Sequence, residues 1–139
     1  MQEKRSSHWA GGGVNGKYKD MYFRSLIELS YIIQNYDSLQ NAETSQFRIK
    51  YSVGDKTFSY SPDFYNKETD TIIEIKHSYA IQKMSEKLKA KITAAQIHFK
   101  NYLIVTEKDI EIIKLDALKE LVKSNIVFLN PRSFKKFFT

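Results

Sequence analysis

The chain has 139 residues, of which 22 are basic and 16 acidic, for a formal charge of +6; 42% are hydrophobic and none is cysteine. That size and composition describe one folded, basic domain and exclude global disorder, a disulfide framework, thiolate zinc sites and cysteine nucleophiles. No stretch approaches the roughly 20 apolar residues of a membrane span, and MQEKRSSHWAGGG lacks the apolar core of a secretory leader, so a cytoplasmic chain with no membrane association is expected.

Residues 1–20 hold four of the five glycines, within Gly11–Gly16, and predict a flexible basic arm. His8 and Trp9 lie in it, and a tryptophan there can stack on an exposed base. The remainder, 21–139, predicts a single domain. From Met21, the run YFRSLIELSYIIQNY has helical spacing and no Gly or Pro, so a buried helix of about four turns is expected. The period then changes to two. Phe47, Ile49 and Tyr51 alternate with polar residues, Gly54 marks a turn, and Phe58 and Tyr60 continue the alternation, which predicts a β-hairpin. After Pro62, TIIEI supplies a third, consecutive antiparallel strand. Residues 79–100 read as one helix, NYLIVT as a buried strand, EIIKL as a further strand, 116–124 as a helix and NIVFL as a last strand. Pro131 opens a short terminal helix, whose Phe134, Phe137 and Phe138 are expected to cover core.

Charge is unevenly spread along this order. Residues 1–24 carry five bases and two acids, and 77–100 five lysines and one glutamate, whereas 25–76 carry eight acids and five bases. Basic flanks around an acidic centre suit a polyanion approaching a cation site, since lysines neutralise phosphate while carboxylates hold divalent cations. The same lysines also read as an ordinary solvated surface.

Within the acidic centre, Asp63 follows Pro62 and Glu74-Ile75-Lys76 ends the next apolar strand. Strand alternation points Glu74 and Lys76 to one face, about 6–7 Å apart along the strand, and a short hairpin brings Asp63 beside them. Two hard carboxylates with room for water suit Mg²⁺, and a lysine there can orient the attacking water or stabilise developing charge. Glu28, among apolar neighbours, is a candidate third carboxylate, because a buried carboxylate needs a partner or a metal; its alternative is a helix ion pair with Arg24. Ordinary readings exist for Asp63 as a turn carboxylate and for Glu74 with Lys76 as a cross-strand pair.

These residues resemble a known family. FRSLIEL, YSPDF and TIIEIK, in that order, look like the PD-(D/E)XK nuclease superfamily. The resemblance implies an α/β, restriction-endonuclease-like core: a mixed central sheet built as helix, three antiparallel strands, helix and strand, flanked by helices. It implies Glu28, Asp63, Glu74 and Lys76 as catalytic residues. Metal would be held by Asp63, Glu74, the Ile75 backbone carbonyl and Glu28, with one or two Mg²⁺ per site, Mn²⁺ substituting, and hydrolysis of DNA phosphodiesters. Over residues 22–106 the order is also similar to the transposon-end endonuclease subunits of heteromeric transposases and to small phage endonucleases. The presence of Glu74 where the transposase subunits often carry glutamine, and the short stretch after the core, favour a stand-alone nuclease. It would be phage or mobile-element encoded, work in a bacterial or phage-infected cell, act on duplex or branched DNA such as four-way junctions, and form a homodimer.

Arg24, Lys83, Lys87 and Lys91 are further candidates for DNA contact, the three lysines recurring every fourth residue on one helix face. His77 is turned away from Lys76 by alternation and reads as structural. Two alternatives remain: a non-catalytic DNA-binding or partner-binding subunit with the same fold, and the endonuclease subunit of a multi-protein transposase.

Overall fold

A computed structural model describes residues 13–138 and shows a mixed α/β protein. His8 and Trp9 lie outside the described residues. The described residues divide into two compact units, one formed by residues 37–106 and the other by residues 13–36 together with 107–138. Among the described residues, no helix is long and apolar enough to cross a membrane.

The unit made from both ends of the chain contains a three-stranded antiparallel sheet. Its strands are β1 (Gly16–Tyr18), β2 (Met21–Phe23) and, from the far end of the sequence, β9 (Val127–Leu129), in the order β2-β1-β9. The expected arm therefore gives way to a strand at Gly16. A Cβ at Gly16 would sit 2.3 Å from the Phe128 carbonyl oxygen and 3.1 Å from the Leu129 Cα, so only glycine lets β9 approach so closely. Gly16→Ala is expected to destabilise the protein by about 1–3 kcal/mol, the scale of an overpacked contact; a chemical-denaturation midpoint equal to wild type contradicts this.

The helix expected from Met21 starts later, as α1 (Leu26–Asn35). Met21–Phe23 alternate buried, exposed, buried in a hairpin with β1. Ser25 is extended and its hydroxyl caps the helix by accepting the Glu28 amide at 3.1 Å. Ser25-x-x-Glu28 is a helix-start signature, and it sets this boundary. Ile27, Leu29 and Ile32 bury the inner face of α1.

Residues 111–114 form no strand. Ile113 N–H donates to the buried Ser30 hydroxyl and the Glu111 carbonyl accepts from the Gln34 side chain, so side chains of α1 occupy backbone groups that a strand partner would need. Two helices follow, α4 (Leu115–Lys123) and α5 (Pro131–Phe138). In α5 Phe137 and Phe138 are half-buried, while Phe134 is exposed and stacks on Phe138 at 4.7 Å between centroids.

Residues 37–106 hold a four-stranded sheet in the order β3-β6-β7-β8, from β3 (Leu39–Asn41), β6 (Phe64–Asn66), β7 (Thr71–Ile75) and β8 (Tyr102–Val105). β7 is antiparallel to β6 and parallel to β8. With neighbours on both sides, β7 buries Ile72, Ile73, Glu74 and Ile75 in succession, with Glu74 the one charged residue among them; such continuous burial marks a central strand. The expected hairpin is present as β4 (Ile49–Val53) and β5 (Lys56–Tyr60), but it forms its own two-stranded sheet. The expectation of three consecutive antiparallel strands is thus corrected. Buried Pro62, which offers no N–H to a ladder, lies between β5 and β6, and β6 takes the place beside β7. β8 is the sheet's edge and buries only Val105, in contrast to the buried strand expected there.

The single helix expected over 79–100 is two, α2 (Ser78–Lys83) and α3 (Glu86–His98). Met84 adopts φ 45° and ends the first, and the Ser85 hydroxyl caps the second by accepting the Leu88 amide at 3.1 Å. The inner face of α3 rests on the hairpin, Ala95 packing in one cluster with Ile49, Tyr51 and Tyr60.

Candidate active site

The end of β7 brings together Asp63, Glu74, Lys76 and Lys91. Glu74 is 3% exposed although its strand neighbours are isoleucines, and a carboxylate so placed requires partners. Tyr60, the last residue of β5, donates its hydroxyl to Glu74 Oε1 at 2.5 Å. On the other oxygen, Oε2, Lys91 Nζ lies at 3.6 Å and Lys76 Nζ at 3.9 Å. The Lys76 contact agrees with the shared face expected of Glu74 and Lys76.

Asp63 is held in the same place by the backbone. Its carbonyl accepts from Ala42 N–H at 3.0 Å and its Oδ2 accepts from Ile75 N–H at 2.7 Å, while its own amide hydrogen-bonds the Glu74 carboxylate. Glu74 and Lys76, eleven and thirteen residues after Asp63 in the sequence, are therefore gathered with it at the end of β7. Lys76 is fixed in turn by its amide, which donates to Val105 O of β8 at 3.0 Å.

Lys91 differs most from the sequence reading. It was expected to share one DNA-contacting helix face with Lys83 and Lys87, but Lys83 belongs to α2, before the break at Met84. Lys87 stands on exposed α3 surface, 4.3 Å from the Phe58 ring centroid. Lys91 turns inward: its side chain is 17% exposed and its amine lies 4.6 Å from the centroid of the Tyr60 ring. A cleft of about 260 Å³ beside these groups is lined by Tyr51, Lys76, Ala80, Ser85, Lys87, Leu88 and Lys91. Three lysines on one small cleft, next to a carboxylate pair, suit a phosphate group.

Burial governs the proton affinities. It pushes the Glu74 carboxyl above the ordinary carboxylate range, against the opposing pull of Tyr60, Lys91, Lys76 and the Asp63 amide. It also lowers the Lys91 ammonium, which Glu74 draws back up while Lys76 pushes it further down. The Tyr60 hydroxyl is held far above its usual value by burial and then by Glu74. Tyr102, whose hydroxyl is 3.4 Å from that of Tyr60, is pushed up to about 12, mainly by burial. A carboxyl raised in the folded state stabilises the fold most below the ordinary carboxylate range, and that contribution is lost as pH rises through the folded value. In metal-free protein, the side-chain carboxyl carbon of Glu74 should titrate by NMR above a normal glutamate. Lys91→Met should move the midpoint higher still, because one attracting cation is gone; an unchanged or lower midpoint contradicts the assigned contact.

Glu28 and Arg24 belong to the other unit. Glu28 Oε1 accepts the Arg24 backbone N–H at 2.9 Å while its own amide is capped by Ser25. Its carboxylate thus has a local role in starting α1, and Glu28 is only half-buried, so the burial expected to call for a metal is not found. Arg24 is exposed. His77 has the expected structural role, its Nδ1 accepting the Tyr79 amide at the start of α2.

Asp63 and Glu74 supply carboxylate oxygens and Ile75, next in β7, a backbone carbonyl, and oxygens of these kinds are the donor chemistry of Mg²⁺ or Mn²⁺. Among the described residues no group of three or more acidic or histidine side chains comes together, so such a cation would rely on water and phosphate oxygens for the rest of its shell. Comparison with known proteins finds no matching family model, curated protein or solved structure.

Proposed function

We propose that the chain is a Mg²⁺-dependent DNA endonuclease of PD-(D/E)XK type. The observation that carries this reading is the meeting of Asp63, Glu74 and Lys76 at the end of β7, beside a cleft lined by Lys76, Lys87 and Lys91. A bound Mg²⁺ would activate water and offset phosphate charge. Asp63 and Glu74 would hold it with the Ile75 carbonyl. Tyr60 fixes Glu74 through Oε1, which leaves Oε2 toward the lysines. Lys76 orients the attacking water or stabilises the charge that builds on the phosphate, while Lys91 and Lys87 hold non-bridging oxygens. The substrate is duplex or branched DNA, and a second copy of the chain completes a dimer that meets both strands.

A second reading, a DNA-binding module without cleavage, draws on one feature: Glu74 is already satisfied by a phenol and two ammonium groups. One assay separates the two. Purified protein with Mg²⁺ is offered linear duplex, supercoiled plasmid, single strands and a four-way junction side by side, with its solution mass measured. Cleavage of any of these in Mg²⁺ but not in chelator supports the nuclease; binding without cleavage supports the module. Cleavage only with a second protein present points to a transposase subunit.

A further inference from the structure

The sheet of β1, β2 and β9 has one face packed and one face open. Met21, Phe23 and Val127 are buried on the packed side. On the other, Lys17 is paired across the ladder with Tyr22 on one side and Phe128 on the other. Tyr22 is 61% exposed and Phe128 56% exposed. Residues directly opposite in an antiparallel ladder share a face, so two large rings flank one lysine across three strands, about 10 Å apart. The Lys17 amine lies 5.3 Å from the centroid of the Tyr22 ring.

The charge around this row has one dominant sign. Residues 13–24 and 125–132 contain Lys17, Lys19, Arg24 and Arg132 against one acid, Asp20, and Asp20 is engaged by the Tyr36 hydroxyl. Exposed rings on a sheet with a lysine between them offer π-faces to bases and charge to a phosphate. A duplex keeps its bases stacked on one another and cannot use the rings; a single strand can. We propose that this face binds single-stranded DNA, with bases stacked on Tyr22 and Phe128 and a phosphate on Lys17. The site goes beyond the phosphodiester chemistry proposed at Asp63 and Glu74 and stands independently of it.

The test is fluorescence anisotropy with a labelled oligothymidine of about 12 nucleotides, in chelator so that no cleavage intervenes. Tyr22→Ala and Phe128→Ala are each expected to weaken binding by roughly 5- to 150-fold, and Lys17→Gln to reduce the salt slope by about one. An abasic strand should bind wild type as weakly as the double ring variant binds oligothymidine. The double variant Tyr22→Leu/Phe128→Leu keeps apolar volume on the strands and should lose binding while keeping the wild-type melting temperature. Oligothymidine binding by the double variants equal to wild type overturns the proposal, as does equal wild-type affinity for the abasic strand. A fall in solution mass on removing the rings also overturns it, since the face would then seat a second copy of the chain.

Discussion

Asp63→Asn is expected to reduce Mg²⁺-dependent DNA cleavage by at least about 10³-fold, the upper end of what one electrostatic group supplies, with little change in fold. Asparagine keeps a side-chain oxygen able to accept the Ile75 amide that Asp63 Oδ2 accepts at 2.7 Å. The exchange turns a charge-assisted hydrogen bond into a neutral one, a loss on the order of 1 kcal/mol. Metal affinity should fall far more, because a neutral amide is a poor substitute for a carboxylate toward a hard cation. Single-turnover cleavage and thermal unfolding together check this; near-normal cleavage by a folded Asp63→Asn protein removes Asp63 from the site.

Lys76→Met should lower kcat by about 10²–10³-fold while KM for DNA stays close to wild type. Lys87 and Lys91 still line the cleft and can hold phosphate, whereas the group that meets charge developing in the displacement is gone. Methionine preserves much of the lysine stem's apolar length, so packing changes little. An increased KM with unchanged kcat would instead make Lys76 a phosphate-binding residue with no part in the chemical step.

The Asp63, Glu74 and Lys76 group was legible in the sequence because its geometry is local. Alternation puts Glu74 and Lys76 on one strand face, and a Pro-Asp step before a short hairpin brings Asp63 alongside. Lys91 was not legible as part of the site. Its four-residue spacing with Lys83 and Lys87 reads as one face that tracks a DNA backbone or lies in solvent, whereas the left-handed Met84 and the Ser85 cap put Lys83 on a separate helix and Lys91 faces Tyr60 and Glu74. Tyr60 looked like one more alternating aromatic of a hairpin, since nothing local announces that its hydroxyl reaches a carboxylate fourteen residues on.

Long-range pairing explains the other differences. β1 exists because β9, more than a hundred residues away, closes over Gly16, and three residues of alternation in β2 are too few to compete with the helical period that follows. Residues 111–114 have strand-like side chains, but Ser30 and Gln34 take up their backbone groups. Glu28 shows the reverse case. The Ser25-x-x-Glu28 signal of a helix start is present in the sequence, and apolar neighbours along the chain do not bury Glu28, which is half-exposed at the start of α1.

The most direct test of the central claim, that Asp63 and Glu74 form a metal-holding pair, is a Mn²⁺ titration followed by loss of the free-ion EPR signal. Wild type is expected to take up one or two Mn²⁺ that Mg²⁺ displaces, and Asp63→Asn/Glu74→Gln, still folded, to take up none at this site. Uptake by the double variant equal to wild type, or no uptake by wild type, contradicts the claim.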